Sequence, residues 1–220
     1  MKIKKIRLIN NFRKIEFNKS FIFSALNLSF LSYLCSGSIK IPKNFFLWCD
    51  GIFGTFISQT KKTPGSEFLE FFFKKKFSKI IIAGSYSRKQ IDFVEKKFKT
   101  KVEIFLIPNV NFTNIKKYIP KVKKNSLLLI TLPTPKQEIL AYLISKKQKN
   151  CKILCIGGGL NIAAGEEKKC PKFLSQIGLE TIWRLRNDTW RRLKRLIHTS
   201  LLIIFYYIRG DLKKVKLIKI

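Results

Sequence analysis

The architecture is indicated by residues 127–161, which read LLLITLPTPKQEILAYLISKKQKNCKILCIGGGLN. An apolar run over 127–132 ends at Pro133, a helical pattern covers 135–148, and a second apolar run over 152–156 ends at three glycines. Short apolar runs are typical of buried strands, and the intervening helix provides the crossover that two parallel strands need. This part of the chain therefore predicts a strand–helix–strand unit in a parallel sheet.

The same alternation extends over most of the chain. Further strands are predicted at 21–24, 45–49, 79–83 and 102–107, and further helices at 27–35, 66–76, 88–98 and 112–123. Residues 1–19 are interpreted as a charged lead-in that could form an edge hairpin. The pattern indicates an α/β fold, a Rossmann-like, mostly parallel sheet with helices on both faces. We assign 1–178 to this domain and 179–220 to a basic, helical, amphipathic C-terminal appendage.

Composition agrees with one compact domain and a small appendage. The chain has 220 residues, of which 46% are hydrophobic, and its 20 phenylalanines can fill a core. Disorder, a collagen-like repeat and a disulfide scaffold are therefore excluded. Charges interrupt nearly every apolar run, so a polytopic membrane protein is not expected. The five cysteines form no CxxC pair and there is one histidine, which favours reduced, mostly buried thiols over a metal site.

One uncharged stretch has two interpretations. Residues 20–39, SFIFSALNLSFLSYLCSGSI, follow a basic segment, as a signal peptide or membrane anchor would. Against a targeting role, the stretch contains six serines, Glu16 precedes it and no A-x-A cleavage site follows. A buried strand–helix unit in a cytoplasmic protein is the favoured interpretation.

The formal net charge is +32, from 45 Lys and Arg against 13 Asp and Glu. Such an excess suggests a polyanionic partner: nucleic acid, an anionic membrane surface or a phosphate-bearing substrate. Because 36 of the basic residues are lysines, drift of lysine into exposed positions is an alternative source of the charge. Arginine is less evenly distributed, since six of the nine follow position 183. That concentration suggests phosphate or membrane contact, with a merely solvated basic helix as the alternative.

The C-terminal segment has an amphipathic pattern. If one helix runs from Leu179, Arg184, Arg191 and Arg195 lie within about 40° of one another on it. The opposite face, which we expect to dock on the domain, carries Leu179, Ile182, Leu193 and Ile197. The following run LLIIFYYI over 201–208 is too short to span a bilayer. Flanked by basic residues it suits a membrane interface, with core packing as the alternative.

Several polar or glycine-rich turns follow predicted strands and should border one crevice, because ligands of parallel sheets bind beyond the carboxyl ends of the strands. Asp50 can act there as a general base, and Gly51 lets a substrate approach closely; an ordinary Asp-Gly turn is the alternative. Gln137 can bind hydroxyl or carbonyl groups through its amide. Glu138 could instead be a plain carboxylate of a first helical turn.

The glycine run over 157–159 also permits close backbone approach to a ligand. It does not match GxGxxG, and no P-loop pattern occurs in the sequence. A nicotinamide site is therefore disfavoured, and no cofactor is expected.

Short motifs occur in an informative order along the chain. They are Asp50-Gly51, Pro64-Gly65-Ser66-Glu67, LPTPKQE over 132–138, IGGGLN over 156–161 with Ala164-Gly165, Lys169-Cys170-Pro171, Gly178-Leu179-Glu180, Arg184-Leu185 and Arg191-Arg192. Together they resemble the WecG/TagA/CpsF glycosyltransferases (glycosyltransferase family 26) over about residues 22–205. Each motif alone is weak, but their combination in this order is specific.

The resemblance implies an inverting transfer of a sugar, of N-acetylmannosamine type or a related hexose, from a UDP-sugar to a polyprenyl-diphosphate-linked acceptor. This reaction serves cell-surface polysaccharide synthesis and is thought to need no metal. The resemblance implies Asp50 as the general base and Gln137 at the substrate site. The family's C-terminal arginines, thought to reach the nucleotide diphosphate and to help anchor the enzyme to membrane, are matched by Arg184, Arg191 and Arg192.

The remaining predicted substrate-binding positions border the crevice and are Asn27, Gly51, Glu138, Gly157, Gly158 and Asn161. One carboxylate and an arginine cluster would supply both the base and the charge stabilisation of an inverting transfer. The expected partners are the UDP-sugar, the lipid-linked acceptor and an anionic membrane surface, without nucleic acid; a homo-oligomer is left open. The expected location is cytoplasmic, peripheral on the inner face of the plasma membrane.

The chain departs from the family pattern at several positions. Of a usual Thr-x-Asn it keeps only Asn27, and Asn161 stands where the family usually has Asp. The other departures are Pro133 for Gly, Thr181 for Trp and Thr189 for Pro. A catalytically degraded homologue that binds UDP or lipid is therefore an alternative. A basic nucleic-acid-binding module is less favoured, because the aromatic residues lie in apolar runs rather than on a basic face.

Overall fold

The computed structural model describes residues 4–37, 41–177, 179–186 and 189–220, without the side chains of Thr181, Arg184, Thr189 and Arg191. The strands are β1 Lys4–Leu8, β2 Phe21–Leu26, β3 Phe45–Cys49, β4 Lys79–Gly84, β5 Val102–Leu106, β6 Ser126–Ile130, β7 Lys152–Cys155 and β8 Val215–Lys219. The helices are α1 Leu28–Ser36, α2 Gly51–Ser58, α3 Gly65–Phe73, α4 Arg88–Phe98, α5 Lys136–Lys147, α6 Gly159–Ala163, α7 Lys172–Gln176, α8 Glu180–Leu185 and α9 Thr189–Ile208.

The eight strands form one sheet in the order β5-β4-β6-β7-β2-β3-β1-β8, and every described pair is parallel. Helices connect most of the strands, so the predicted α/β, Rossmann-like class is confirmed. The strand order has one consequence for function. The neighbours β6, β7, β2 and β3 all end at the same edge of the sheet.

Two apolar cores lie on the two faces of the sheet, and β2 shows how the sequence separates them. Its alternate residues Phe21 and Phe23 pack on the face that also buries α3 and α4. Ile22 and Leu26 pack on the face that buries α1 and α5. All six residues of β2 are buried, as expected for a central parallel strand. Residues 21–36 are thus the buried strand–helix unit that the sequence favours.

Two predictions are wrong, one for the N-terminal segment and one for residues 112–123. Residues 4–8 form a parallel strand between β3 and β8, not part of an edge hairpin, because Ile6 and Leu8 are apolar enough to be buried. The predicted helix over 112–123 is only a short 3₁₀ turn at Ile115–Lys117. Asn111 causes the difference, since its side chain accepts hydrogen bonds from the backbone N–H groups of Thr113 and Asn114 and favours a turn.

The C-terminal segment differs from the single predicted helix. It forms α8 and α9, and Arg186 lies in a turn between them. The angular relation predicted between Arg184 and Arg191 assumed an unbroken helix, and both side chains lie outside the described residues, so it stays a prediction. The last part of the predicted appendage, β8, pairs along its length with β1. The segment therefore contributes an edge strand to the sheet as well as helices.

Candidate active site

Four loops converge on the carboxyl edge of the sheet because the strands that precede them are neighbours. Asn27 follows β2, Asp50 follows β3, and Gly157 follows β7 within two residues. The turn 131–135 joins β6 to α5, whose first residues are Lys136 and Gln137. The structure thus brings together the residues that the sequence predicts around one crevice.

Asp50 is the N-cap residue of α2, and its side chain makes no capping hydrogen bond to that helix. Its backbone N–H donates to the Leu26 carbonyl oxygen at 3.4 Å, which fixes the end of β3 against β2. Gly51 has φ of +75°, a conformation that favours glycine, and no atom lies within 4 Å of the position of a Cβ there. Asp50 is thus a partly exposed residue whose neighbour, Gly51, borders open space.

Asn27 has a clear role within the fold. Its Oδ1 atom accepts a hydrogen bond from the backbone N–H of Phe30 at 2.9 Å and so caps α1. This cap fixes the orientation of the Asn27 side chain, whose amide nitrogen can donate a hydrogen bond to a substrate.

Gln137 and Glu138 are buried side by side at the start of α5, with exposed fractions of 3% and 0%. One carboxyl oxygen of Glu138, Oε1, accepts three hydrogen bonds. The donors are the Ser24 hydroxyl at 2.6 Å, the Gln137 amide nitrogen at 2.9 Å and the Thr134 hydroxyl at 3.1 Å. Burial raises the pKa of Glu138 above its usual value. Glu138 is therefore linked to β2 and to the turn before α5, and it does not reach solvent.

The three glycines after β7 have different roles. Gly157 has φ of +49°, and a Cβ added there would lie 3.5 Å from Gln137 Oε1. No atom lies within 4 Å of a Cβ position at Gly158. A Cβ at Gly159 would meet the backbone of Gly65 at 3.3 Å, so this glycine and the Pro64-Gly65 motif serve the close packing of α6 on α3.

Asn161 belongs to a polar network that ties the loop after α6 to α4. Its Oδ1 atom accepts a hydrogen bond from Gln90 Nε2 at 3.1 Å, and the same nitrogen donates to Glu166 Oε2 at 2.5 Å. Ser87 also donates to the Glu166 carboxylate. The sequence did not single out Gln90 or Ser87, because a polar residue in an amphipathic helix carries no local sign of a partner about seventy residues away.

Arg192 forms a bidentate ion pair with Glu167, at 2.7 Å and 3.1 Å, and Glu167 is buried. This pair joins α9 to the loop that follows α6. A second pair, between Lys62 and Glu180, joins the loop after α2 to α8. The side chains of Arg184 and Arg191 lie outside the described residues, so their predicted contact with a diphosphate stays a prediction.

The apolar residues of α9 fall on two sides of the helix. Ile203 is buried against Leu31 and Cys35 of α1, and Tyr206 packs beside them. A second row is exposed and consists of Ile197, Leu201, Ile204, Phe205 and Ile208. We call this row the exposed face of α9.

The docking face predicted for the C-terminal segment is therefore wrong, because three of its four members, Leu179, Ile182 and Ile197, are exposed. The turn at Arg186 breaks the assumed periodicity, and contact with α1 selects Ile203 instead.

Two kinds of feature are absent from the described residues: a membrane-spanning helix and a metal-binding cluster. No helix in this part of the chain combines the length and apolarity needed to cross a bilayer. Nor do any three His, Cys, Asp or Glu side chains in the same residues lie close enough together to hold a metal ion. Four of the five cysteines are buried, as predicted.

Comparison with known proteins identifies a family. The sequence model of the glycosyl transferase WecG/TagA/CpsF family matches residues 59–216. This range includes Gln137, Glu138, Asn161 and Arg192, and it begins after Asn27 and Asp50.

Curated relatives include the N-acetylglucosaminyldiphosphoundecaprenol N-acetyl-beta-D-mannosaminyltransferases of Staphylococcus aureus strains MW2 and NCTC 8325 / PS 47. Each is 27% identical over 119 residues, which is 50% of this chain and 46% of the relative. The chain thus spans about half the length of the curated relatives it matches.

Proposed function

The chain belongs to the glycosyl transferase WecG/TagA/CpsF family, and we propose that it transfers a hexose from a UDP-sugar to a polyprenyl-diphosphate-linked acceptor. The donor sugar is of N-acetylmannosamine type or closely related. The product serves the synthesis of a cell-surface polysaccharide. The relatives support the acceptor class, since their names describe enzymes that act on an N-acetylglucosaminyl-diphosphoundecaprenol.

The observation that carries this proposal is the meeting of Asp50, Asn27, Gln137 and Gly157 at one edge of the sheet. Asp50 is the acidic residue that directly follows one of the four neighbouring strands β6, β7, β2 and β3. An inverting transfer needs one base to take the proton of the acceptor hydroxyl as that oxygen attacks the anomeric carbon. The open space at Gly51, the residue that follows Asp50, offers room for an acceptor. We assign the general base to Asp50.

The leaving group of this reaction is a nucleotide diphosphate, whose charge increases as the glycosidic bond breaks. Arginine stabilises such charge well, because its planar guanidinium binds phosphate in a bidentate manner. Arg184 and Arg191 are the proposed ligands, and they take the place of a divalent cation. The third predicted arginine, Arg192, has its guanidinium bound to Glu167, so we assign it to holding α9 in place. In this proposal 1–178 forms the catalytic domain, and 179–220 contacts the diphosphate and the membrane.

The acceptor lipid requires the enzyme to work at a membrane surface. The exposed face of α9 offers apolar side chains, and Arg209, Lys213 and Lys214 follow it in the sequence. On α2, directly after Asp50, Ile52 and Phe56 are also exposed. Apolar side chains flanked by basic residues are typical of segments that lie in a membrane interface. We propose a peripheral location on the inner face of the plasma membrane.

The test is a transfer assay with purified protein, a panel of UDP-sugars and a polyprenyl-diphosphate-N-acetylglucosamine analogue. We expect one UDP-sugar to be consumed with inversion and without loss of rate on chelation of divalent cations. Asp50→Asn should lower kcat by about 100-fold or more, the contribution of a positioned base.

The matched control is Asp92→Asn, because Asp92 is exposed on α4 and pairs along that helix with Arg88. Full activity of Asp50→Asn would exclude Asp50 as the base. A wild-type protein that binds UDP but transfers no sugar would instead identify a degraded homologue.

A further inference from the structure

Two buried oxygens, on consecutive residues at the start of α5, have no hydrogen-bond partner among the described residues. They are Gln137 Oε1 and Glu138 Oε2. A buried carbonyl without a partner costs free energy, and native proteins keep few of them. The unpartnered Gln137 carbonyl therefore calls for an explanation.

The orientation of the Gln137 amide follows from its neighbours. Its nitrogen donates to Glu138 Oε1 at 2.9 Å and to Thr134 Oγ1 at 3.2 Å, so both amide hydrogens are used. Glu138 Oε1 also receives the hydroxyls of Ser24 and Thr134. Because three donors meet at Oε1, a proton on this carboxyl would lie on Oε2. The carboxyl therefore holds the amide in one orientation in either protonation state.

The carbonyl oxygen that remains lies next to the glycine turn after β7. It is 3.5 Å from the place where Gly157 lacks a Cβ, and Gly157 follows β7 at the carboxyl edge of the sheet. A carbonyl oxygen accepts hydrogen bonds and cannot donate them. The ligand group that completes it must therefore carry an O–H or N–H, as the hydroxyl and acetamido groups of a sugar do.

We propose that Glu138 is a positioning residue that acts through Gln137, holding the Gln137 carbonyl toward Gly157 as the acceptor for a hydroxyl or acetamido N–H of the sugar substrate. This inference rests on the proposed glycosyltransferase function and deepens it. Glu138 itself is fully buried and does not touch the substrate. Ser24 and Thr134 complete the arrangement, since they anchor the carboxyl to β2 and to the turn before α5.

The kinetic test compares Glu138→Met, Glu138→Gln, Gln137→Met and the double Met variant in the transfer assay. Glu138→Met removes the acceptor oxygen and should lower kcat/KM by about 10- to 100-fold, the cost of one lost directed hydrogen bond at a reacting substrate. Glu138→Gln keeps an oxygen at Oε1 and should recover most of this loss. The double variant should be no worse than Gln137→Met, because both changes remove the same interaction.

Two kinetic results would overturn the proposal. In one, the effects of the two Met variants multiply in the double variant, so Glu138 acts independently of Gln137. In the other, Glu138→Gln loses as much activity as Glu138→Met, so the carboxylate charge matters rather than its position. Glu103→Met, on the exposed edge strand β5, controls for the loss of a glutamate as such.

A second readout does not need activity. The side-chain amide protons of Gln137, assigned in ¹⁵N-labelled full-length protein by their loss in Gln137→Met, should exchange slowly in the wild type and in Glu138→Gln. In Glu138→Met, or in Ser24→Ala if the former does not fold, exchange should be at least about 10-fold faster. Unchanged exchange contradicts the proposal even if the wild type transfers no sugar, whereas an inactive wild type with the expected exchange contradicts only the proposed function.

Discussion

Glu138 connects residue chemistry to the stability of the fold. Its pKa is raised by burial above the ordinary value of 4.5, so the folded chain keeps a proton that the unfolded chain releases. The free energy of unfolding should therefore fall as the pH rises from about 4.5 to the folded-state pKa, because the folded state binds more protons in that window. Below about 4.5 both states are protonated, and the contribution is constant.

The matched measurement is the difference in unfolding free energy between Glu138→Gln and the wild type across this range. Glutamine does not titrate, so we expect the variant to gain stability relative to the wild type with rising pH. The polar or titratable groups that face the carboxyl are Ser24, Thr134, Gln137 and the buried thiol of Cys155, whose own pKa is raised by burial and by Glu138. A difference that does not change with pH would mean that Glu138 is ionised in the fold at all these values.

Asn161 shows how a departure from the family pattern can fit the local structure. Gln90 Nε2 bridges Asn161 Oδ1 and Glu166 Oε2, which places a carboxylate next to the asparagine. Asn161→Asp would add a second negative charge there. We expect it to destabilise the protein by about 1–2 kcal/mol, measured by denaturant unfolding.

The double variant Asn161→Asp with Glu166→Gln should recover that loss, because it restores one charge to the network. Equal stability of Asn161→Asp and the wild type would contradict this account of the departure.

Among the elements, α9 is joined to the loop after α6 by a buried ion pair. Arg192 meets Glu167 in a bidentate geometry, and the Glu167 side chain is only 8% exposed. Removing one partner leaves the other charge buried, so Arg192→Met should lower stability by about 2–4 kcal/mol. Backbone hydrogen exchange in this variant should be faster than in the wild type, and the increase should be larger in α9 than in β6 or β7.

The charge-reversed double variant, Glu167→Arg with Arg192→Glu, tests whether the ion pair is what protects α9. We expect it to recover part of the lost protection of α9, whereas either single reversal should not. If the single reversals leave the protection of α9 unchanged, the ion pair does not hold this helix.

The exposed face of α9 makes a prediction about membranes at the same scale. A triple variant, Leu201→Gln, Ile204→Gln and Ile208→Gln, removes apolar surface without changing charge and without touching buried Ile203. Its affinity for vesicles of phosphatidylglycerol and phosphatidylcholine should fall by about 10-fold or more, because burial of apolar area contributes about 25 cal/mol per Å².

The control is the same change at three equally exposed apolar residues elsewhere, Ile104, Leu106 and Phe112. That variant should bind vesicles like the wild type. Equal loss in the two variants would mean that α9 has no special part in membrane contact.

Regular elements could be predicted from the sequence where local pattern and tertiary packing agree. The strand at 45–49 and the helix at 88–98 were predicted with their observed bounds, and in the structure Ser87 caps that helix. The helix over 112–123 was not, because Asn111 competes for the backbone hydrogen bonds. The parallel place of β1 depends on pairing with β8, more than two hundred residues away, and no local pattern carries that information.

The grouping of these loops was predictable for a topological reason. A residue at the end of a parallel strand must lie at one edge of the sheet, so Asp50, Gly157 and the turn before α5 could be grouped from the sequence. The side-chain contacts made around this edge could not be predicted. Ser24 with Glu138, Gln90 with Asn161 and Arg192 with Glu167 are contacts between distant segments, and each residue alone has an ordinary structural interpretation.

At the scale of the whole molecule, the net charge of +32 acts on every polyanion. Salt screens the attraction between surface lysines and a polyanion, with a screening length of about 8 Å at physiological ionic strength. Salt does not screen apolar contact in this way. Binding to vesicles that contain phosphatidylglycerol should therefore weaken with added salt but keep a residual part in the wild type.

The Gln variant of the exposed face of α9 should lose that residual part, and a duplex oligonucleotide should bind with no salt-resistant part at all. Co-sedimentation with vesicles and a gel shift over the same salt series separate these contributions. Salt-resistant binding to the duplex would favour a nucleic-acid partner. Complete loss of vesicle binding at high salt would mean that charge alone brings the protein to the membrane, because a helix that inserts its apolar side chains does not depend on unscreened charge.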